Sequence, residues 1–198
     1  MEGMRTALIL ALVSIVFAAF AQKPTLKQAE DKLVHDGYID TLCNAQWAVK
    51  QGDAIVPILD QMLAKRKTYA KLDNGGGAFP FNAEYALAHI PSKRSLAVLE
   101  KYKLKLAIQG WKLRDQKKSK DYGVLSRDGS IFVKANQSIG AVQQLKAGTA
   151  VRILKRAIEN PNEEGPRGGP TVYDEVEVLS TGRRGFVQRA GDNFDPFF

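Results

Sequence analysis

Gln116-Lys117-Lys118-Ser119-Lys120 holds no apolar residue, and the sequence changes character across it. Before it, from Thr25 to about Lys118, apolar residues recur every three or four positions. Ile55, Ile58, Leu59 and Met62 share one helical face, and Leu96, Leu99, Lys103 and Leu106 repeat the spacing, with the lysine stem able to lie along apolar surface. After it, from Tyr122 onward, short alternating runs are broken by glycine turns. The stretch therefore divides the chain: helices on residues 22–118, strands on 119–198.

Outward toward the N-terminus, the helical part repeats itself. N-A-Q-W-A-V at 44–49 matches N-A-E-Y-A-L at 82–87, and Val56, Ile58 and Leu59 match Leu96, Val98 and Leu99 in the helix that follows. Each unit reads helix, turn, helix, with Asp53 and Ser92 placed to cap the second helix. A period near forty is that of two-helix solenoid repeats. Trp47 and Tyr85 hold equivalent positions and are expected to pack between helices. Between the units, Asp73-Asn74-Gly75-Gly76-Gly77-Ala78-Phe79-Pro80 lacks the lysine and the preceding strand of a phosphate loop and reads as a connector, with Asn82 placed to cap the next helix. Q-G-D-A-I-V-P-I-L-D-Q-M-L at 51–63, with Pro57 near the helix start, resembles the turn and second helix of a HEAT-like repeat. That resemblance implies a protein-interaction surface on stacked helices, its ends capped by flanking helices at about 25–36 and 101–118.

Outward toward the C-terminus, strands are predicted at Tyr122–Leu125, Ile131–Lys134, Val142–Leu145, Thr149–Lys155, Val172–Leu179 and Gly185–Val187, with an Asp128-Gly129 turn after the first. Six short strands suit a closed or nearly closed barrel. Residues 157–170 hold three prolines and three glycines and are expected as a mobile surface loop. I-G-A-V-Q-Q-L-K-A-G-T-A-V-R-I-L at 139–154 and T-G-R-R-G-F-V at 181–187 resemble the bacterial Src-homology-3-like (SH3-like) domain of envelope and secreted proteins. Lys134-Ala135-Asn136-Gln137 stands near where that family carries Arg-x-Gly-Pro. The fold class expected is thus α+β in two domains, a HEAT-like solenoid and an SH3-like barrel.

Residues 1–21 read as a signal peptide: Arg5, then an apolar run from Ala7 to Phe20 too short to span a bilayer, then Ala19-Phe20-Ala21 as a cleavage site. The expected location is exported, periplasmic or secreted, with no transmembrane segment after cleavage. Cys43 is the single cysteine, expected as a small buried residue on a helix. His35 and His89 are expected to be structural or solvent-facing.

The formal charge is +8, and residues 22–118 hold 17 Lys and Arg against 10 Asp and Glu. Lys101, Lys105 and Lys112 fall along one side of a continuous helix, a stripe suited to phosphate-bearing polymers or lipid headgroups. Export argues against nucleic acid as the partner. No metal-binding or nucleophile motif occurs, so no catalytic, cofactor or metal residue is assigned and no cofactor is expected. Binding is assigned to Tyr173, which alternation turns outward, to Phe186, to Arg183 and Arg184 at a hairpin tip, and to Lys101, Lys105 and Lys112. The expected function is a non-catalytic exported binding or scaffold protein contacting envelope proteins. The alternatives are a peptidoglycan or anionic wall-polymer module and an accessory wall hydrolase with a carboxylate site.

Overall fold

The computed structural model describes residues 23–35, 41–72, 78–164, 169–189 and 195–198. The expected signal peptide lies outside these, as do residues 73–77 and 165–168 of the glycine-rich stretches. Within them the chain is mixed helix and sheet, seven α-helices followed by a curled six-stranded antiparallel half-barrel. None of the described helices is long and apolar enough to cross a membrane.

α1 (Leu26–Glu30) starts on a capping box, Thr25 and Gln28 each bonding the other's backbone N–H. It runs into a π-helical turn at Asp31–His35. α2 (Thr41–Lys50) and α3 (Val56–Ala64) form the first helix pair, and α4 (Arg66–Leu72) follows. α5 (Ala78–His89) and α6 (Lys93–Lys101) form the second. Equivalent helices pack on each other, α2 on α5 and α3 on α6. Ala45 and Ala48 and their repeat equivalents Ala83 and Ala86 are all fully buried in the helical core, where small side chains let packed helices come close. Tyr85 is buried, and Trp47 packs half-buried against the same core.

The caps differ from expectation in two places. Ser92 caps α6 by accepting from the Ser95 N–H at 3.1 Å. Asp53 caps nothing, because residues 52–54 form a 3₁₀ turn and α3 begins at Val56 with Pro57 in its first turn. Asn82 is a buried residue inside α5, which begins four residues earlier, and its amide reaches the Leu33 carbonyl at 3.5 Å.

The helix expected over 101–118 breaks. α6 ends at Lys101, Lys103 takes φ 56°, and α7 spans Lys105–Lys117. Lys101 therefore does not share one continuous helix with Lys105 and Lys112. Tyr102 holds the corner, its hydroxyl donating to the Asp60 carboxylate and carbonyl at 2.8 and 2.9 Å. Gly110 does not interrupt α7; it is a contact point for Phe198.

The strands are β1 (Tyr122–Val124), β2 (Gly129–Phe132), β3 (Ala141–Leu145), β4 (Ala150–Glu164), β5 (Pro170–Val178) and β6 (Arg184–Gln188). Their order is β1-β4-β5-β6-β2-β3, so among the described residues β1 and β3 are the ends of a curled half-barrel and do not pair with each other. β1 and β2 do not pair, and the Asp128-Gly129 step is no hairpin turn. Asp128 instead accepts from the Ala147 N–H at 2.9 Å and Lys146 Nζ at 2.8 Å, pinning the β3–β4 turn.

Residues 157–164 are strand where a loop over 157–170 is expected. Bulges let irregular residues stay in the ladder. Asn160 pairs with Thr171 and Glu164 with Pro170, leaving Pro161 and its neighbours looped out.

The described hydrophobic residues form two cores, one among the helices and one inside the curl. One ladder in the wall between them serves both cores. Val124 of β1 and Phe198 exchange both backbone hydrogen bonds at 2.9 Å, and Leu125 bridges Phe197. Successive side chains on an extended strand face opposite ways. Val124 and Phe198 accordingly enter the helical core, while Leu125 and Phe197 enter the sheet core.

Candidate functional site

One β-bulge decides what the seam between helices and sheet contains. In β4, Lys155 pairs with Glu175 and Ile158 with Tyr173, so Arg156 and Ala157 together face Asp174. Ala157 takes φ 54° and its N–H donates to Asp174 Oδ1 at 2.9 Å. The bulge re-aims Arg156 toward the seam, where Nη1 meets Asp195 Oδ2 at 2.7 Å. Tyr85 of α5 donates to the same oxygen at 2.9 Å, and the Phe197 N–H donates to Oδ1 at 3.1 Å. One buried carboxylate thus ties a helix, a strand and the C-terminal segment together.

The charges follow the geometry. Burial alone would push the Asp195 carboxyl up, but Arg156 first, then Arg189 and the Tyr85 hydroxyl, hold it below its ordinary range. Burial and the adjacent carboxylate push the Tyr85 hydroxyl up, so it stays a donor. His89 stacks on Tyr85 with ring centroids 3.9 Å apart, and burial followed by Arg114 pulls its pKa down to about 3. Its Nδ1 stands 2.8 Å from the Tyr85 carbonyl, an acceptor, so the neutral ring carries its proton there and leaves Nε2 as a lone-pair acceptor. That Nε2 is buried without a partner. Behind the seam, Arg189 makes a two-pronged pair with Asp174, at 3.0 and 2.7 Å, with both side chains buried.

α7 closes the seam. Arg114 donates to the Ala88 carbonyl at 2.7 Å and the Tyr122 carbonyl at 3.1 Å, and Trp111 Nε1 donates to the Ile90 carbonyl at 2.9 Å. The bonds to Ala88 and Ile90 satisfy carbonyls at the C-terminal end of α5, and the bond to Tyr122 ties α7 to β1.

The residues assigned to binding fall apart in space. Tyr173 is fully buried, not outward, because the end of β4 covers it: its hydroxyl donates to Glu163 at 2.6 Å, and the Phe132 ring meets it edge-on. Phe186 is half-buried and lies opposite Phe132 in the ladder. Arg183 and Arg184 are exposed at the start of β6; Arg184 pairs with Glu177 at 3.1 Å and Arg183 reaches Gln143 at 3.4 Å. Lys101 pairs with Asp60 at 2.7 Å, Lys112 with Glu100 at 3.4 Å, and Lys105 is exposed. Cys43 is exposed rather than buried. The seam residues Tyr85, His89, Arg114, Arg156 and Asp195 were not foreseen as a group. The only sequence signal for them was the polar Asp195 set between apolar Phe194 and the Pro196-Phe197-Phe198 run.

α5 holds one more unusual carboxyl. Burial raises Glu84 from 4.5 to about 7, with Arg66 pulling it back. A raised folded pKa means that the stability it contributes is complete below 4.5 and is lost as pH climbs through about 7. Glu84→Gln is therefore expected to match the parent near the acidic end and to exceed it by about 1–3 kcal/mol around pH 8. Urea unfolding at the two ends of that window reads the difference, and a gap that does not change with pH would contradict the assignment.

Compared with known proteins, the chain matches no family model, no curated protein and no solved structure.

Proposed function

We propose that this chain is an exported, non-catalytic binding or scaffold protein of two domains, a HEAT-like helical layer and an SH3-like barrel, both contacting envelope proteins in the periplasm or outside the cell. The observation that supports this reading is the contrast between the two ends of the sheet. The β1 end is covered by residues 196–198 of the chain itself. The β3 end, Ala-Val-Gln-Gln-Leu, pairs only with β2 among the described residues and carries no charge and no proline. Proteins ordinarily guard a free edge with such residues. Here Val142 is 45% exposed and Val133, just beyond β2, is 56% exposed. An unguarded edge with apolar side chains is a template on which a partner adds a strand.

The test is in-cell cross-linking of the exported chain, with captured proteins identified by mass. Val142→Lys places a charge on the edge and is expected to cut capture of an envelope partner about tenfold, equivalent to ~1.4 kcal/mol. Lys50→Glu, exposed at the end of α2 and assigned to no binding surface, is the control. Capture unchanged by Val142→Lys removes the edge as the binding surface. A second reading, contact with peptidoglycan or an anionic wall polymer, is favoured by the exposure of Lys105, Arg183 and Arg184.

A further inference from the structure

A cavity of about 350 Å³ opens between the C-terminal end of α5 and the end of α7. Trp111, Ala88 and Pro91 give it apolar walls, while Arg114, Lys118 and Lys120 bring positive charge to it against Asp115. Small-ligand clefts have this character: apolar walls, a few placed polar groups and a volume of roughly 300–1,000 Å³.

The three cations do different work. Lys118 pairs with Asp115 at 2.8 Å, so those two charges cancel. Lys120 is exposed at the rim and has no ion pair among the described residues. Arg114 has its plane fixed by two neutral acceptors, the carbonyls of Ala88 and Tyr122. A guanidinium has five N–H groups, so donors remain to be met, and no carboxylate is hydrogen-bonded to the charge among the described residues. Asp195 offsets part of that charge through space, but its hydrogen bonds go to Tyr85, Arg156 and the Phe197 N–H, and none goes to Arg114. Burial pulls the Arg114 pKa down to about 10, the response of a cation short of compensation.

Two helix ends oppose an anion here. The cavity lies at the ends of α5 and α7, and helix C-termini carry partial negative charge. At α5 that charge is covered, because Arg114 and Trp111 donate to the Ala88 and Ile90 carbonyls. At α7 the Lys118 and Ser119 N–H groups turn back onto the Asp115 and Arg114 carbonyls at 3.3 Å. Full charges on Arg114 and Lys120 then outweigh what is left of two half-charges. The indole N–H is already bonded to Ile90, so Trp111 offers a ligand only apolar surface. His89 adds a wall whose Nε2 lacks a donor.

We propose that this cavity binds a small organic carboxylate with a flat apolar body, its carboxylate on Arg114 and Lys120 and its body against Trp111. The planar guanidinium matches a carboxylate in two-pronged geometry.

Benzoate is the probe, with benzamide as its uncharged counterpart and inorganic phosphate as an anion without an apolar body. The full chain carrying Trp47→Phe leaves Trp111 as its one indole, whose N–H resonance reports occupancy. Benzoate is expected to move that resonance saturably in the millimolar range, and benzamide at least about tenfold more weakly. Arg114 also holds α5 to β1, so its replacement risks the fold. Lys120→Glu at the exposed rim is the informative variant, expected to weaken benzoate about tenfold while the rest of the spectrum stays that of the folded chain. No saturable response to benzoate, an equal response to benzamide, tighter binding of phosphate than of benzoate, or indifference to Lys120→Glu would each overturn the proposal.

Discussion

Asp195→Ala is expected to cost about 3–5 kcal/mol, the range for removing one partner of a buried charge pair. Asp195 is 2% exposed and satisfies three donors from three parts of the fold. Removing it leaves the Tyr85 hydroxyl in a buried place without an acceptor, which alone costs about 1–3 kcal/mol. Arg156 softens its share, because its side chain is 37% exposed and can turn to water. The signature is coupling: Arg156→Ala should cost much less once Asp195 is already gone than in the parent, since the group it served is absent. Both tryptophans lie in helices, so indole fluorescence follows the helical part while circular dichroism follows helix and sheet together. With the tie removed, the two signals are expected to separate along a urea titration. A cost below about 1 kcal/mol, the value of an exposed ion pair, would mean that Asp195 does not hold the seam.

Much of the architecture was readable because it is periodic. The matched N-A-x-x-A segments mark α2 and α5, and the alternation of Val172, Val176 and Val178 marks β5. What could not be read was anything set by a contact distant in sequence. Tyr173 alternates outward on its own strand, and only the returning end of β4, which brings Glu163 to its hydroxyl, buries it. Arg156 stands in the sequence just past the strand expected over Thr149–Lys155, with nothing to single it out. Its role depends on a bulge at Ala157, a left-handed position that a glycine would have announced and an alanine hides. The strands were legible one by one, but their order was not. The Asp128-Gly129 pair carries the local signature of a hairpin, yet Asp128 serves the β3–β4 turn and β1 pairs across to β4. Local chemistry proposes a turn; which strands then meet is decided by where each apolar face finds cover.

Gly110→Ala brings that same competition between local and tertiary preference to one atom. Within an exposed helix the change would stabilise by about 1 kcal/mol, since glycine is the poorer helix former. In α7 the added Cβ would lie 2.4 Å from both the carbonyl carbon and the oxygen of Phe198. A flexible side chain could give way, but this is backbone, and it is held from the other side. Gly123 of β1 leaves only 2.9 Å between an added Cβ and the same oxygen, and Val124 bonds Phe198 in both directions. Phe198 must therefore leave the ladder or α7 must shift. Losing Phe198 forfeits about 1.5–3 kcal/mol of ring burial and two hydrogen bonds of about 0.5–1.5 kcal/mol each. Set against the helix gain, the net cost is expected at about 2–4 kcal/mol. A chain shortened by Phe198 supplies the control. There the clash is gone, and Gly110→Ala should reverse sign and stabilise by about 1 kcal/mol. The reversal separates a close approach from a general intolerance of α7 to change. If the alanine destabilises both chains equally, the ladder residue is not what excludes it, and the shared wall between the two cores has been assigned to the wrong contact.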